Sequence, residues 1–187
     1  MTTSNLADVI IEEFGLPERP KTSVIPKQKV LDWMDSDDVE ALGALYSFAT
    51  DPNYSGRIQP GMTFWEYWKL ISRYFERCFH ENPSGEWAHG RYDAGWDLAG
   101  WFVKIWQDQT ISEDAKTEIK QWLGKQYVMG NAEVRRCLVD SVFEHIFEKP
   151  DIARYFSDWK TEPDLSMAYG EAAEWVKEGG QTHFGKQ

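Results

Sequence analysis

The stretch from Glu86 to Asp108 gathers the residues of this 187-residue chain best placed to do chemistry: Glu86, His89, Asp93 and Asp97, threaded between Trp96, Trp101 and Trp106. Glu86 and His89 have the i, i+3 spacing of carboxylate-bridged dimetal bundles, a chemistry that needs a second such pair and two further helical glutamates. None of His80, His145 and His183 has a glutamate three residues before it, so the second pair is missing. His89, Asp93 and Asp97 are neighbours on one helical face, but they supply one imidazole and no thiolate, a thin ligand set for a transition metal. No metal site and no cofactor are expected. There is no G-x-S-x-G nucleophile turn, no P-loop and no G-x-G-x-x-G, and Gly90, Gly95 and Gly100 recur inside a helical pattern instead of following a strand. Cys78 and Cys137 fall on apolar helical faces and have no histidine at a familiar catalytic spacing, so they read as small buried hydrophobes. Glu144–His145 falls on the outer side of its helix and reads as surface. No catalytic residue is assigned, and the chain is not expected to be an enzyme.

The elements that must hold these residues are helical. "SNLADVIIEEFG" reads as a short helix capped by Ser4 or Asn5 and stopped by Gly15, followed by the Pro-rich arm "LPERPKTSVIPK". Ser36 caps the next helix. Thr63 and Glu66 make a T-x-x-E capping box, with Met62 and Tyr67 placed as a hydrophobic staple. From there Phe64, Trp68, Ile71, Tyr74, Phe75, Cys78 and Phe79 share one face at about 100° per residue. Ser112 and Asn131 cap two more helices. In the second of them Val134, Cys137, Leu138, Val142 and Ile146 face inward, and Asp140, Glu144 and Glu148 form a row at i, i+4, i+8. Pro150 stops that helix; Asp151 and Asp164 start two short ones. No strand is predicted, because the β-branched runs are short and no hairpin dipeptide joins alternating segments.

These boundaries predict an all-α fold, a single compact irregular bundle of seven or eight helices with a Trp-rich central helix. Residues 1–30 form an N-terminal helix and Pro-rich arm, 31–180 the helical domain, and 181–187 a flexible tail. In "GRYDAGWDLAGWFVKIWQD" a spacing of five turns each tryptophan by about 140° from the last, so the indoles do not share a face. Asp93, Asp97, Lys104 and Asp108 do fall in one narrow sector, together with Glu86 and His89. That pattern predicts a helix buried on three sides, its tryptophans mainly core, with one thin polar strip exposed.

The 31 Asp and Glu outnumber the 20 Lys and Arg, giving a formal net charge of −11 spread along the whole chain. Such a field argues against nucleic acid and anionic membranes and attracts basic partners. The N-terminus lacks a basic leader, and no stretch reaches the length of a membrane span, so a cytoplasmic location is expected. The aromatics Tyr155, Phe156, Trp159, Tyr169 and Trp175 recur at helical spacing and read as a terminal hairpin sealing the core, with a docking surface as the alternative.

In size, charge and helical content the chain is similar to bacterial immunity-type inhibitors, and no motif carries that similarity. The expectation is an acidic protein-binding domain. In its sharpest form it neutralises a toxin-like partner by masking its basic active-site face through Glu86, Asp93, Asp97, Asp140, Glu144 and Glu148. The alternative is a helical enzyme or small-molecule-binding protein with a Trp-lined pocket at His89, Asp93, Trp96 and Asp97.

Overall fold

Asn5, and not Ser4, accepts the first free amide of the N-terminal helix α1 (Leu6–Phe14), and Gly15 leaves it at φ 76°. That positive φ is one a side chain resists. The computed structural model describes residues 5–16 and 21–179; Ser4 and the 181–187 tail lie outside them. The described residues form an all-α fold that divides into two compact units, Met1–Gly90 and Arg91–Gln187. None of their helices is long and apolar enough to cross a membrane.

In the first unit α1 buries Ile10 and Phe14 against α3 (Val39–Thr50), where Phe14 stacks on Phe48 at 5.2 Å between centroids. The last carbonyls of a helix have no intrahelical partner. Here the Arg57 guanidinium supplies one, donating to the carbonyl oxygens of Phe14 and Glu13, and its Nε donates to Ser23 O. This ties α1 to a strand pairing, a two-residue parallel contact of β1 (Ile25–Pro26) with β2 (Ile58–Gln59) that the sequence patterning does not reveal. Two-residue strands are too short to carry an alternating pattern.

Helices α2 (Lys27–Trp33) and α4 (Pro52–Ser55) flank α3. Asp38 caps α3 in place of Ser36, whose hydroxyl instead accepts from the Asp38 amide. The capping box opens α5 (Phe64–Glu81) as expected: Glu66 Oε2 accepts from the Thr63 amide at 2.7 Å and Thr63 Oγ1 from the Glu66 amide. Trp68, Ile71, Tyr74, Phe75, Cys78 and Phe79 are buried, and Phe64 is half-buried. The chain after α5 is pinned by Glu40, whose carboxylate accepts from the amides of Trp87 and Ala88 at 2.9 and 3.1 Å. Gly43 permits the approach, since a Cβ there would lie 2.3 Å from Trp87 O.

The second unit opens with α6 (Arg91–Gln107), the Trp-rich segment, followed by α7 (Glu113–Met129), capped by Ser112. Asn131 caps α8 (Ala132–Leu138), which continues through a π-helical turn at Val139–Phe143 into α9 (Glu144–Phe147). Pro150 does not merely end that helix. It is the first residue of α10 (Pro150–Tyr155), a position that suits its fixed φ and missing N–H. Asp151 therefore sits inside the first turn and not at the cap. A 3₁₀ turn at Ser157–Thr161 leads to α11 (Ser166–Lys177), whose cap position is Leu165 and not Asp164.

The helix buried round most of its circumference in this unit is the continuous one from Ala132 to Phe147. Its buried residues include Val134, Cys137, Leu138, Val142, Phe143 and Ile146, and α6 and α11 both pack on it. Helix α6 itself buries one face, Arg91, Ala94, Gly95, Leu98, Ala99 and Phe102. The expectation that its tryptophans are mainly core is corrected: Trp96 is 42 % exposed, and Trp101 and Trp106 are half-buried. Ala94, Gly95 and Ala99 within the buried face let α6 lie close to its neighbour, and the indoles stand at its margins. Trp106 illustrates the gain, for at the margin its N–H reaches the Asp151 carboxylate.

Candidate functional site

The π-helical turn sets the site. Gly95 of α6 has no Cβ where Ser141 stands, and one built there would lie 1.8 Å from Ser141 Oγ. Ser141 donates to the Cys137 carbonyl at 2.6 Å, and the Cys137 thiol donates to Arg91 O at 3.3 Å. Arg91, 9 % exposed, pairs with Glu133 at 2.8 Å. This buried polar seam joins the start of α6 to the middle of the helix it packs on. Burial pushes the Cys137 thiol up to about 11 and the Cys78 thiol of the first unit up to about 12, and both cysteines are free.

Outside the seam lies an acidic and aromatic face. Asp140 Oδ2 accepts from Arg136 Nε at 2.7 Å and from the Tyr92 hydroxyl at 3.4 Å. The rings of Tyr92 and Trp96 lie 6.2 Å apart on the exposed shoulder of α6. Beside them a cavity of about 280 Å³ runs between the 132–147 helix and α11. Its carboxylates are Asp140, Glu144, Glu171, Glu174 and Glu178, its one cation is Arg136, and Trp175 closes one wall. Burial, then the charges of Asp140 and Glu171, hold the Glu144 carboxyl at about 7, with Arg136 opposing them. A carboxylate in that position is short of positive charge.

The structure brings together some of the sequence-predicted residues and separates others. Asp140 and Glu144 line the cavity. Glu148, third in the row, turns away to within 3.6 Å of His145 Nδ1. His145 is not a surface residue: it is 5 % exposed and meets the Trp175 ring edge-on at 5.5 Å. Asp93 and Asp97 are exposed on α6, opposite its buried face. Glu86 is exposed in the bend after α5, in the first unit. His89 is half-buried there, its ring against those of Tyr46 and Tyr74 at 6.2 and 5.9 Å and its amide donating to the Tyr74 hydroxyl.

Sequence reasoning missed Glu171, Glu174 and Glu178. The signal is legible in the sequence, since these three and Trp175 repeat at i, i+3, i+4, i+7. Phe156, Trp159 and Tyr169 are indeed buried. Among the described residues no group of three His, Cys, Asp or Glu side chains is arranged to hold a metal ion.

Compared with protein-family models, curated proteins and solved structures, the chain matches none.

Proposed function

We propose that this chain is an acidic protein-binding domain and that its second unit recognises a basic partner. The observation that carries the reading is the cavity beside Tyr92 and Trp96, where five carboxylates face one guanidinium. A lysine or arginine entering between Glu144, Glu171 and Glu174 supplies the missing charge, and the exposed aromatics offer contact area of the kind enriched at interfaces. The net charge of −11 extends the attraction beyond the contact and steers encounter. In its sharper form the chain is an immunity-type inhibitor of bacterial origin, acting in the cytoplasm, that covers the basic active-site face of a toxin.

The test is co-expression with the protein encoded beside it, purification of the pair, and association rates across a salt series. Association slowed about tenfold or more in high salt, and weakened by Glu144→Gln with Glu174→Gln, supports the reading. A complex indifferent to both salt and these substitutions refutes it.

A further inference from the structure

A second concavity lies in the same unit, away from the acidic face. One side of α7, Thr117, Lys120, Gln121, Gly124, Lys125 and Val128, forms one wall of a groove of about 630 Å³. The segment from Tyr155 to Leu165 forms the other, through Tyr155, Asp158, Trp159, Glu162 and Leu165. One end is clamped shut. Lys120 Nζ donates to Tyr155 O at 2.9 Å and to Asp158 at 2.6 Å, and the hydroxyls of Thr117 and Tyr155 meet at 2.9 Å. The other end is open and apolar, with Val128 38 % and Met129 64 % exposed. Between them Gly124 keeps the floor low, since a Cβ there would press on Trp159 at 3.3 Å and on Leu165 at 3.4 Å.

The charges on the rim are divided. Lys120 and Asp158 neutralise each other in the clamp. Lys125 on one wall and Glu162 on the other are exposed, and among the described residues neither side chain has an ion-pair or hydrogen-bond partner. The groove therefore offers a cation on one bank, an anion on the other and an apolar floor between.

We propose that this groove binds a small zwitterion with an apolar body, of the size and chemistry of an apolar dipeptide. Its carboxylate faces Lys125, its ammonium faces Glu162, and its side chains lie over Val128, Met129, Trp159 and Leu165. The volume is in the range of pockets that enclose small molecules of this size, which commonly combine apolar walls with a few placed polar groups. Methionine at the mouth adapts to side chains of different shape. The proposal does not depend on the acidic face, and a ligand without net charge has little reason to enter that cavity.

Calorimetric titration of the full chain with Leu-Leu, N-acetyl-Leu-Leu and Leu-Leu amide tests it. Leu-Leu is expected to bind saturably. Removing the ammonium by acetylation, or the carboxylate by amidation, should weaken binding by roughly three- to tenfold, the scale of a charged hydrogen bond at a partly exposed rim. Lys125→Gln should weaken Leu-Leu and leave the amide unaffected; Glu162→Gln should weaken Leu-Leu and leave the acetylated form unaffected. Both positions are exposed, so both variants keep the fold. Glu174→Gln, in the acidic cavity, should leave the binding of Leu-Leu, which carries no net charge, unchanged. No saturable binding of Leu-Leu, equal binding of all three peptides, insensitivity to both rim variants, or a loss on Glu174→Gln would each overturn the assignment.

Discussion

Ser141 Oγ stands where a Cβ on Gly95 would be, 1.8 Å from the position that atom would take. The two helices meet at this point with the Ser141 side chain against the bare backbone of Gly95, and the hydroxyl bonds back to Cys137 O. Gly95→Ala is therefore an overpacking change, expected to cost about 1–3 kcal/mol in denaturant unfolding. Ser141→Gly in the same chain should recover part of that loss, and a double-mutant cycle that shows simple additivity would contradict the contact.

The Glu144 carboxyl gives the molecule a pH dependence of defined sign. Its ordinary value of 4.5 is raised to about 7 in the folded chain. A carboxyl raised on folding contributes no penalty while it is protonated in both states, below about 4.5. The penalty grows as pH rises towards the folded value and is constant above it. Because the group is partly exposed, we expect about 1–2 kcal/mol of stability lost between these limits, less than the full shift implies. Glu144→Gln should flatten the stability profile over that window and leave the acid side unchanged.

A cation bound in the cavity opposes the same shift. Binding of the basic partner near neutral pH should release a proton from Glu144. Calorimetry in buffers of different ionisation enthalpy would show that release, and it should vanish in Glu144→Gln. A complex formed with no proton exchange in the wild type would place the partner elsewhere.

Arg57 closes the carbonyl end of α1 and holds Ser23 with the same guanidinium. Arg57→Met keeps much of the aliphatic stem and removes the donors. It is expected to destabilise the chain by about 2 kcal/mol, with amide exchange accelerating in Leu6–Phe14 before elsewhere. Uniform exchange across the first unit would show that the end of α1 is held by packing alone.

Both thiols are buried and held in the neutral form. An aqueous thiol reagent at neutral pH should label neither Cys78 nor Cys137 until denaturant unfolds the chain, when both should react. Prompt labelling of either would contradict its burial.

Four caps were legible in the sequence because capping is local chemistry: Asn5, Thr63 with Glu66, Ser112 and Asn131 each act on amides within a few residues. Ser36, Asp151 and Asp164 each miss the true cap position by one or two residues, because a polar residue near a helix start does not fix which turn is the first. The acidic row was legible in part, since helical periodicity places Asp140 and Glu144 together. What they face was not, because the answer depends on α11 and its own acids. The exposure of Trp96 was hidden for a related reason. Periodicity orders residues around a helix, but the width of the buried sector is set by how near the neighbouring helix comes. Ala94, Gly95 and Ala99 show that α6 comes very near. A close approach by small side chains leaves the bulky ones outside.

The π-helical turn at Val139–Phe143 amounts to one residue more than regular winding would hold. Glu144 N–H reaches back five residues to Val139 O, so the turn absorbs the extra residue and sets the phase of all that follows. Winding the same residues as regular α-helix would swing the segment from Glu144 onward by about 100°, taking Glu144 from its cluster and His145 from its indole. Losing one residue within the turn would instead let Glu144 N–H keep Val139 O at a four-residue step and hold both in place. The acidic cavity thus depends on a phase offset within a single helix, one that a codon lost from the turn would spare and a codon added just after it would upset.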